Sequence, residues 1–383
     1  MSVTQREIER PLGQGLAPAG STTGRLTTGA ITSGLAVLAV IAVAGSIALR
    51  ERPFRTPAPV VTTTPDVAAS AADATGPANS TAQPSGGAKI IQVDPADRPA
   101  NSGVVVIRDP SAIGQNLRVA HLPDPALIER TDVGPLPIRA ADGRRPFDVY
   151  ARPWSGARGA RVAIVLGGFG ISQTGTQAAI ERLPAEITIA FSPQGNSIGR
   201  WMQAARQKGH EIVMQVPLEP FDYPNVDPGR NTLTVDASAD ENIKNLRWAL
   251  SRTTNYTGVM NFMGARFSAD GEAMQPMLAE LGKRGLLYLD DGSSARSAAP
   301  ELALKNGVPF AAGDATLDTD RDRGAILKKL DELERTARAK GYAIGTGFAF
   351  DSTVDAVASW ANEAKKRGIE IVPISALASD PER

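Results

Sequence analysis

The feature that most constrains this chain is a rhythm repeated four times in its second half. A helix-forming stretch ends in a basic residue, a glycine follows, and an apolar run comes next. The copies are QKGHEIVMQV at 207–216, KRGLLYLD at 283–290, AKGYAIGT at 339–346 and KRGIEIVPI at 366–374. Lys and Arg in a last turn complement the negative end of a helix. Glycine adopts the left-handed conformation that ends it. A run that is apolar throughout suits a strand covered on both faces, as parallel sheets require.

The intervening helices carry their own signals. Ser238 and Glu241 form a capping box ahead of Ile243, Leu246 and Leu250, which share one face. Ile326, Leu330, Leu333 and Ala337 form a second stripe, and Met274, Met277, Leu278 and Leu281 a third. At helical spacing these are core residues. Asp351 or Ser352 is expected to cap a helix carrying Val354, Val357, Ala358 and Ala361. Strands are expected at 161–166, 186–191, 211–216, 257–261, 286–290, 308–310, 342–346 and 370–374. Seven or eight βα units in one run predict an α/β fold, a (β/α) barrel that is complete or incomplete. A doubly wound open sheet is the alternative. In both, functional groups gather at the C-terminal ends of the strands.

The first third of the chain reads differently. No charge interrupts the stretch between Arg25 and Arg50. About 20 such residues cross a hydrocarbon core of roughly 30 Å. Residues 26–49 are therefore expected to form a transmembrane helix after a cytoplasmic tail, 1–25. A signal peptide cleaved near Ala42-Val43-Ala44 is a weaker reading, because a signal peptide is rarely preceded by so long a tail. Arginines flank both ends of the run, so charge alone does not choose the orientation. Residues 50–121 are rich in Pro, Ala and Thr, and read as a disordered linker. Residues 122–378 form the folded domain.

Composition narrows the chemistry. Lys plus Arg equals Asp plus Glu at 41 each, so no net field attracts nucleic acid. Cysteine is absent, which removes thiol catalysis and thiolate metal sites. The two histidines are His121, ahead of the domain, and His210, at a strand start and so on the face opposite the expected site. A structural role suits His210 better than ligation. No cofactor is expected.

The strand ends supply the remaining candidates. Asp290 and Asp291 follow an apolar strand, and Glu219 sits between two prolines. Asp290 and Glu219 are the candidate catalytic acid and base, provided burial raises one pKa. Gln215, Asn261, Arg266 and Asp291 are candidate substrate-binding residues. Each also has a structural reading as a cap or loop tie. Gly167-Gly168-Phe169-Gly170 lacks the Lys and spacing of a phosphate loop and reads as a tight turn. Asp314, Asp318, Asp320 and Asp322 lack EF-hand spacing and read as solvated carboxylates. Tyr223, Trp201 and Trp248 offer rings for sugars, although packing suits Trp248 better.

Several segments, taken in order, resemble the divergent polysaccharide deacetylase family, relatives of the NodB-type carbohydrate esterases. They are LPAEITIAFSP (183–193), VPLEPFDYPNVDPG (216–229), GVMNFMGARF (258–267), LYLDDGSS (287–294) and IEIVPISAL (369–377). The likeness spans about residues 126–377. It implies a NodB-like (β/α) barrel, an extracytoplasmic setting and a polysaccharide or peptidoglycan-type partner. It therefore places the domain in the periplasm, held by one helix in the inner membrane. The departures are equally specific. Gly167-Gly168 stands where relatives carry an Asp pair. Gln215, Phe262 and Thr346 stand where relatives often carry His. A hydrolytic metal needs about three nitrogen or oxygen ligands and an open position, so no His-ligated zinc site is expected. Three readings stay open: a glycan-binding protein whose hydrolase site is lost, an active hydrolase using Asp290 and Glu219, and a scaffold that binds another envelope protein.

Overall fold

All eight expected strands form, each displaced by a few residues at most, and most of their apolar runs are buried on both faces. The computed structural model describes residues 118–383. The expected tail, the membrane span and the linker as far as residue 117 lie outside the described residues. Among the described residues, no helix is long and apolar enough to cross a membrane. Ala120 is buried, and its carbonyl accepts from Arg206 Nε at 3.2 Å and Asn255 Nδ2 at 2.9 Å. Near the C-terminus, Asp380 pairs with Arg145 at 2.6 Å.

Among the described residues, the first strands form an antiparallel hairpin, β1 (Ile128–Thr131) and β2 (Gly134–Pro137), which the sequence pattern does not signal. The main sheet follows: β3 (Arg161–Phe169), β4 (Thr188–Phe191), β5 (Ile212–Leu218), β6 (Gly258–Met263), β7 (Leu287–Asp290), β8 (Phe310–Ala312), β9 (Ala315–Thr316), β10 (Tyr342–Phe348) and β11 (Glu370–Ile371). Its order is β8-β7-β6-β5-β4-β3-β10-β9, with β11 alongside the start of β3. Every pairing in it is parallel.

Alternation along the strands separates two cores. Val162, Ile164 and Leu166 of β3 face the helices, as do Ile212, Met214 and Val216 of β5. Ala163, Val165, Val213, Met260, Leu287, Leu289 and Ile344 point to the inside of the curled sheet. The helix Ala239–Leu250 starts where the capping box predicts, with Ser238 Oγ accepting from Glu241 N at 3.2 Å. It buries Leu246 and Leu250, each contributing about 1.5–3 kcal/mol. The helix Asp351–Lys366 corrects an expectation. Its cap position is Phe350, with no side-chain hydrogen bond, so neither Asp351 nor Ser352 caps it.

The strand-start end of the sheet is stoppered by the C-terminal segment. Phe147, Val372 and Ile374 join the inner core. Fully buried Glu211 accepts from Ser375 N at 3.0 Å, Ser375 Oγ at 2.6 Å and Arg152 N at 2.8 Å. The opposite end carries the loops that leave the strand C-termini.

The sheet curls so far that its end strands, β8 and β9, are consecutive in the chain, joined by Gly313-Asp314. β8 pairs with β7, and β9 pairs with β10. The turn between them is held by Gly313 N to Asp290 O at 2.8 Å and Asp314 N to Ile344 O at 2.7 Å. A Cβ at Gly313 would lie 2.6 Å from Asp291 O, a backbone atom. Gly313→Ala is therefore expected to cost about 1–3 kcal/mol. Urea unfolding of the variant and wild-type proteins checks this through the transition midpoint.

Candidate functional site

The inner face reaches the mouth of the curled sheet through the same period of two. Continuing the inner positions of β3, β5, β6 and β10 brings Gly167, Gln215, Phe262, Thr346 and Phe348 to the strand ends. Gln215 is buried. Its Oε1 accepts from Gly168 N at 2.8 Å, and its Nε2 has no partner. The Phe262 and Phe348 rings meet edge to face at 5.8 Å, and Phe350 lies 5.9 Å from Phe348. The Arg321 guanidinium lies over Phe350 at 3.9 Å. All three phenyl rings are half-buried, so part of each faces solvent.

The acidic candidates fall into two separate groups. Glu219 pairs through Oε1 with Arg266 Nη1, and its Oε2 accepts from Val235 N at 2.6 Å. Its backbone carbonyl accepts from Arg266 N and Phe267 N. Asp290 instead accepts from Gly292 N at 2.9 Å and Ser297 Oγ at 2.6 Å. Asn261 joins this second group: its Oδ1 accepts from Asp291 N at 2.7 Å and its Nδ2 donates to Met263 O at 2.7 Å. Asp291 Oδ1 accepts from Ser293 N at 2.9 Å. The contacts of Glu219 and Asp290 are with their own neighbours, not with each other. The arrangement ties loops together, because buried polar groups at strand ends must find partners.

The other candidates are placed as follows. His210 is fully buried at the strand-start end, with Nδ1 2.8 Å from Ile187 O and Nε2 3.4 Å from Ile180 O. Burial lowers its pKa against the pull of those carbonyls, which keeps the ring neutral. Trp201 is core, its Nε1 donating to Gln173 Oε1 at 3.0 Å. Trp248 is half-buried between the Arg230 and Arg252 guanidinium groups. The aspartates read as solvated are in part not so. Asp318 is buried, its Oδ2 accepting from Phe348 N at 2.7 Å and Thr353 Oγ1 at 3.0 Å. Asp322 caps the helix Arg323–Lys340. A cleft of about 850 Å³ lies between the hairpin and two helices, lined by residues such as Leu136, Ile243 and Arg247, and none of the mouth residues lines it.

Among the described residues, no three His, Asp or Glu side chains gather as a metal would need. The inner mouth offers an amide, a hydroxyl and phenyl rings. Its one orphaned polar atom is a donor, Gln215 Nε2, and a donor repels a cation. These residues do not fit a catalytic metal.

The comparisons with known proteins agree with this fold. The family model described as divergent polysaccharide deacetylase matches residues 164–378, more than half of the chain. This chain belongs to that family. An uncharacterized Agrobacterium tumefaciens protein of known crystal structure is 53% identical, over 64% of this chain and 99% of its own, with a TM-score of 0.63. The uncharacterized protein YibQ of Escherichia coli is 23% identical over 222 residues, 58% of this chain and 68% of its own. A Haemophilus influenzae relative is 25% identical over 177 residues, 46% of this chain and 62% of its own. The parallel curled sheet with its helices is the NodB-like α/β fold of the deacetylase family.

Sequence reasoning did not single out Phe348, Phe350 or Arg321. The period of two along β10 was the available signal, since Ile344, Thr346 and Phe348 share a face.

Burial raises the pKa of Asp290 above its ordinary 3.8, aided by the Asp291 charge and opposed by the Ser297 and Gly292 bonds. The stability this group contributes is full below that ordinary value and is lost as pH rises through the raised one. Asp290→Asn cannot ionise. The wild type's stability relative to Asp290→Asn is therefore expected to decline as pH climbs from about 4 toward neutrality. Urea unfolding of both proteins across that range checks the sign.

Proposed function

We propose that this protein holds a polysaccharide of the cell envelope at the strand-end mouth and does not hydrolyse it through a metal. The observation that carries this reading is the composition of the mouth. Its inner face ends in Gly167, Gln215, Phe262, Thr346 and Phe348, while the nearby carboxylates of Glu219, Asp290 and Asp318 are already bonded within the protein. Family membership supports a carbohydrate ligand. Half-buried phenyl rings give a sugar apolar faces, and Arg321 adds donors at the rim. In this reading Asn261, Asp290 and Asp291 set the shape of the rim, and Arg266 with Glu219 braces it. The apolar run at 26–49 supports a single-pass anchor, with the domain on the periplasmic side of the inner membrane.

Detergent-solubilised full-length protein is expected to bind peptidoglycan-type fragments in calorimetry. Phe350→Ala is expected to weaken binding about tenfold, roughly 1.4 kcal/mol. Acetate release from acetylated fragments is expected to stay at the rate without protein. Chelator-sensitive acetate release overturns the non-hydrolytic reading. Binding that is unchanged in Phe350→Ala overturns the placement of the ligand on the phenyl rings. Protease digestion of intact spheroplasts is expected to remove the domain, and its protection overturns the periplasmic placement.

A further inference from the structure

We infer that Gln215 seals the floor of the mouth by occupying the volume that any side chain at position 167 would need, so that the two positions exclude each other. This rests on the reading of the mouth as a surface without a catalytic metal, and it gives that reading a steric cause.

The geometry is specific. β5 and β3 are not neighbours, because β4 lies between them. Gln215 nevertheless reaches β3, its Oε1 accepting from Gly168 N. β3 makes this possible: its pairing with β4 shifts register between Leu166 and Phe169, and Gly168 sits at φ 81° in that irregularity. A bulge of this kind frees an amide that the ladder no longer uses.

A Cβ built on Gly167 would lie 2.6 Å from Gln215 Nε2, 3.0 Å from Cδ and 3.2 Å from Oε1. Gly167 is not among the residues with positive φ, so its backbone accepts any residue type. The Gln215 side chain is what forbids one. The atoms that would clash are the far end of that side chain, and two features limit its swing. It is 2% exposed, and its amide is held by the Gly168 bond.

The atom nearest that Cβ position is the unpartnered Nε2. A buried donor without an acceptor is costly to keep, and an apolar side chain would fill the space without that cost. Only the acceptor half of the amide is used, on the bulge. Gln215 therefore holds the bulge and closes the floor at once. A side chain at position 167 must displace Gln215.

The test is a melting series on the full-length protein in detergent: wild type, Gly167→Ala, Gln215→Ala and the double variant. Gly167→Ala is expected to lower the melting temperature by about 3–6 °C in the wild-type background. With Gln215→Ala already present, the same change is expected to lower it by about 1 °C or less. Equal losses in both backgrounds overturn the exclusion. Should Gln215→Ala fail to fold, Gln215→Asn shortens the amide by one methylene and is expected to give partial relief, with no relief overturning the proposal. Zinc is titrated into the wild-type protein in parallel, and no saturable uptake is expected. One-to-one uptake overturns the metal-free reading itself, and the melting series judges the steric exclusion separately.

Discussion

The bend at Gly313-Asp314, which carries the chain from one end strand of the curled sheet to the other, is the constraint on which the rest of the domain depends. Parallel strands twist, and a long parallel sheet must end at exposed edges or curl upon itself. Here the two end strands are one stretch of chain bent at Gly313-Asp314, each half pairing with a different neighbour. The bend brings Gly292 and Gly313 into backbone contact: a Cβ at Gly292 would lie 2.3 Å from Gly313 O. It also sets Thr346 Oγ1 3.3 Å from Asp291 O, joining the end of β7 to the inner face of β10. The mouth exists because these strand ends converge there.

That convergence also determines what the polar residues do. Each loop leaving a strand end carries backbone N–H groups that need acceptors. The acids nearest the mouth supply them: Glu219 to Val235, Asp290 to Gly292, Asp291 to Ser293 and Asp318 to Phe348. Carboxylates occupied in this way stiffen loops. The side chains left facing outward with spare surface are phenyl rings, together with the Arg321 guanidinium. This is the surface on which the proposed ligand-holding reading rests.

Much of the fold was legible in the sequence, for local reasons. The four basic-glycine-strand joints appear as helix ends and strands, with Gly209, Gly285 and Gly341 in the left-handed conformation at the ends of their helices. Ser238 caps where its spacing to Glu241 indicated. His210 sits buried at a strand start. The hairpin at 128–137 was not legible, since IERT and GPLP show neither alternation nor a two-residue turn signature. The cap at 351 was misread because Asp351 and Ser352 are good capping residues that here lie inside the helix. Asp318 looked solvated because its partners, Phe348 and Thr353, are 30 and 35 residues away.

By itself, then, the sequence determined the parallel strand-helix succession and the lack of imidazoles at the strand ends. These follow from propensity, periodicity and composition, which act over a few residues. Only the tertiary structure decided which acid meets which partner, how the sheet curls, and which side chain lies against Gly167. Glu219 and Arg266 are 47 residues apart in the chain, as are Gly168 and Gln215. Contacts at that separation depend on strand order, which leaves no local mark, and on the bulge in β3, whose glycine pair marks an irregularity without showing what meets it.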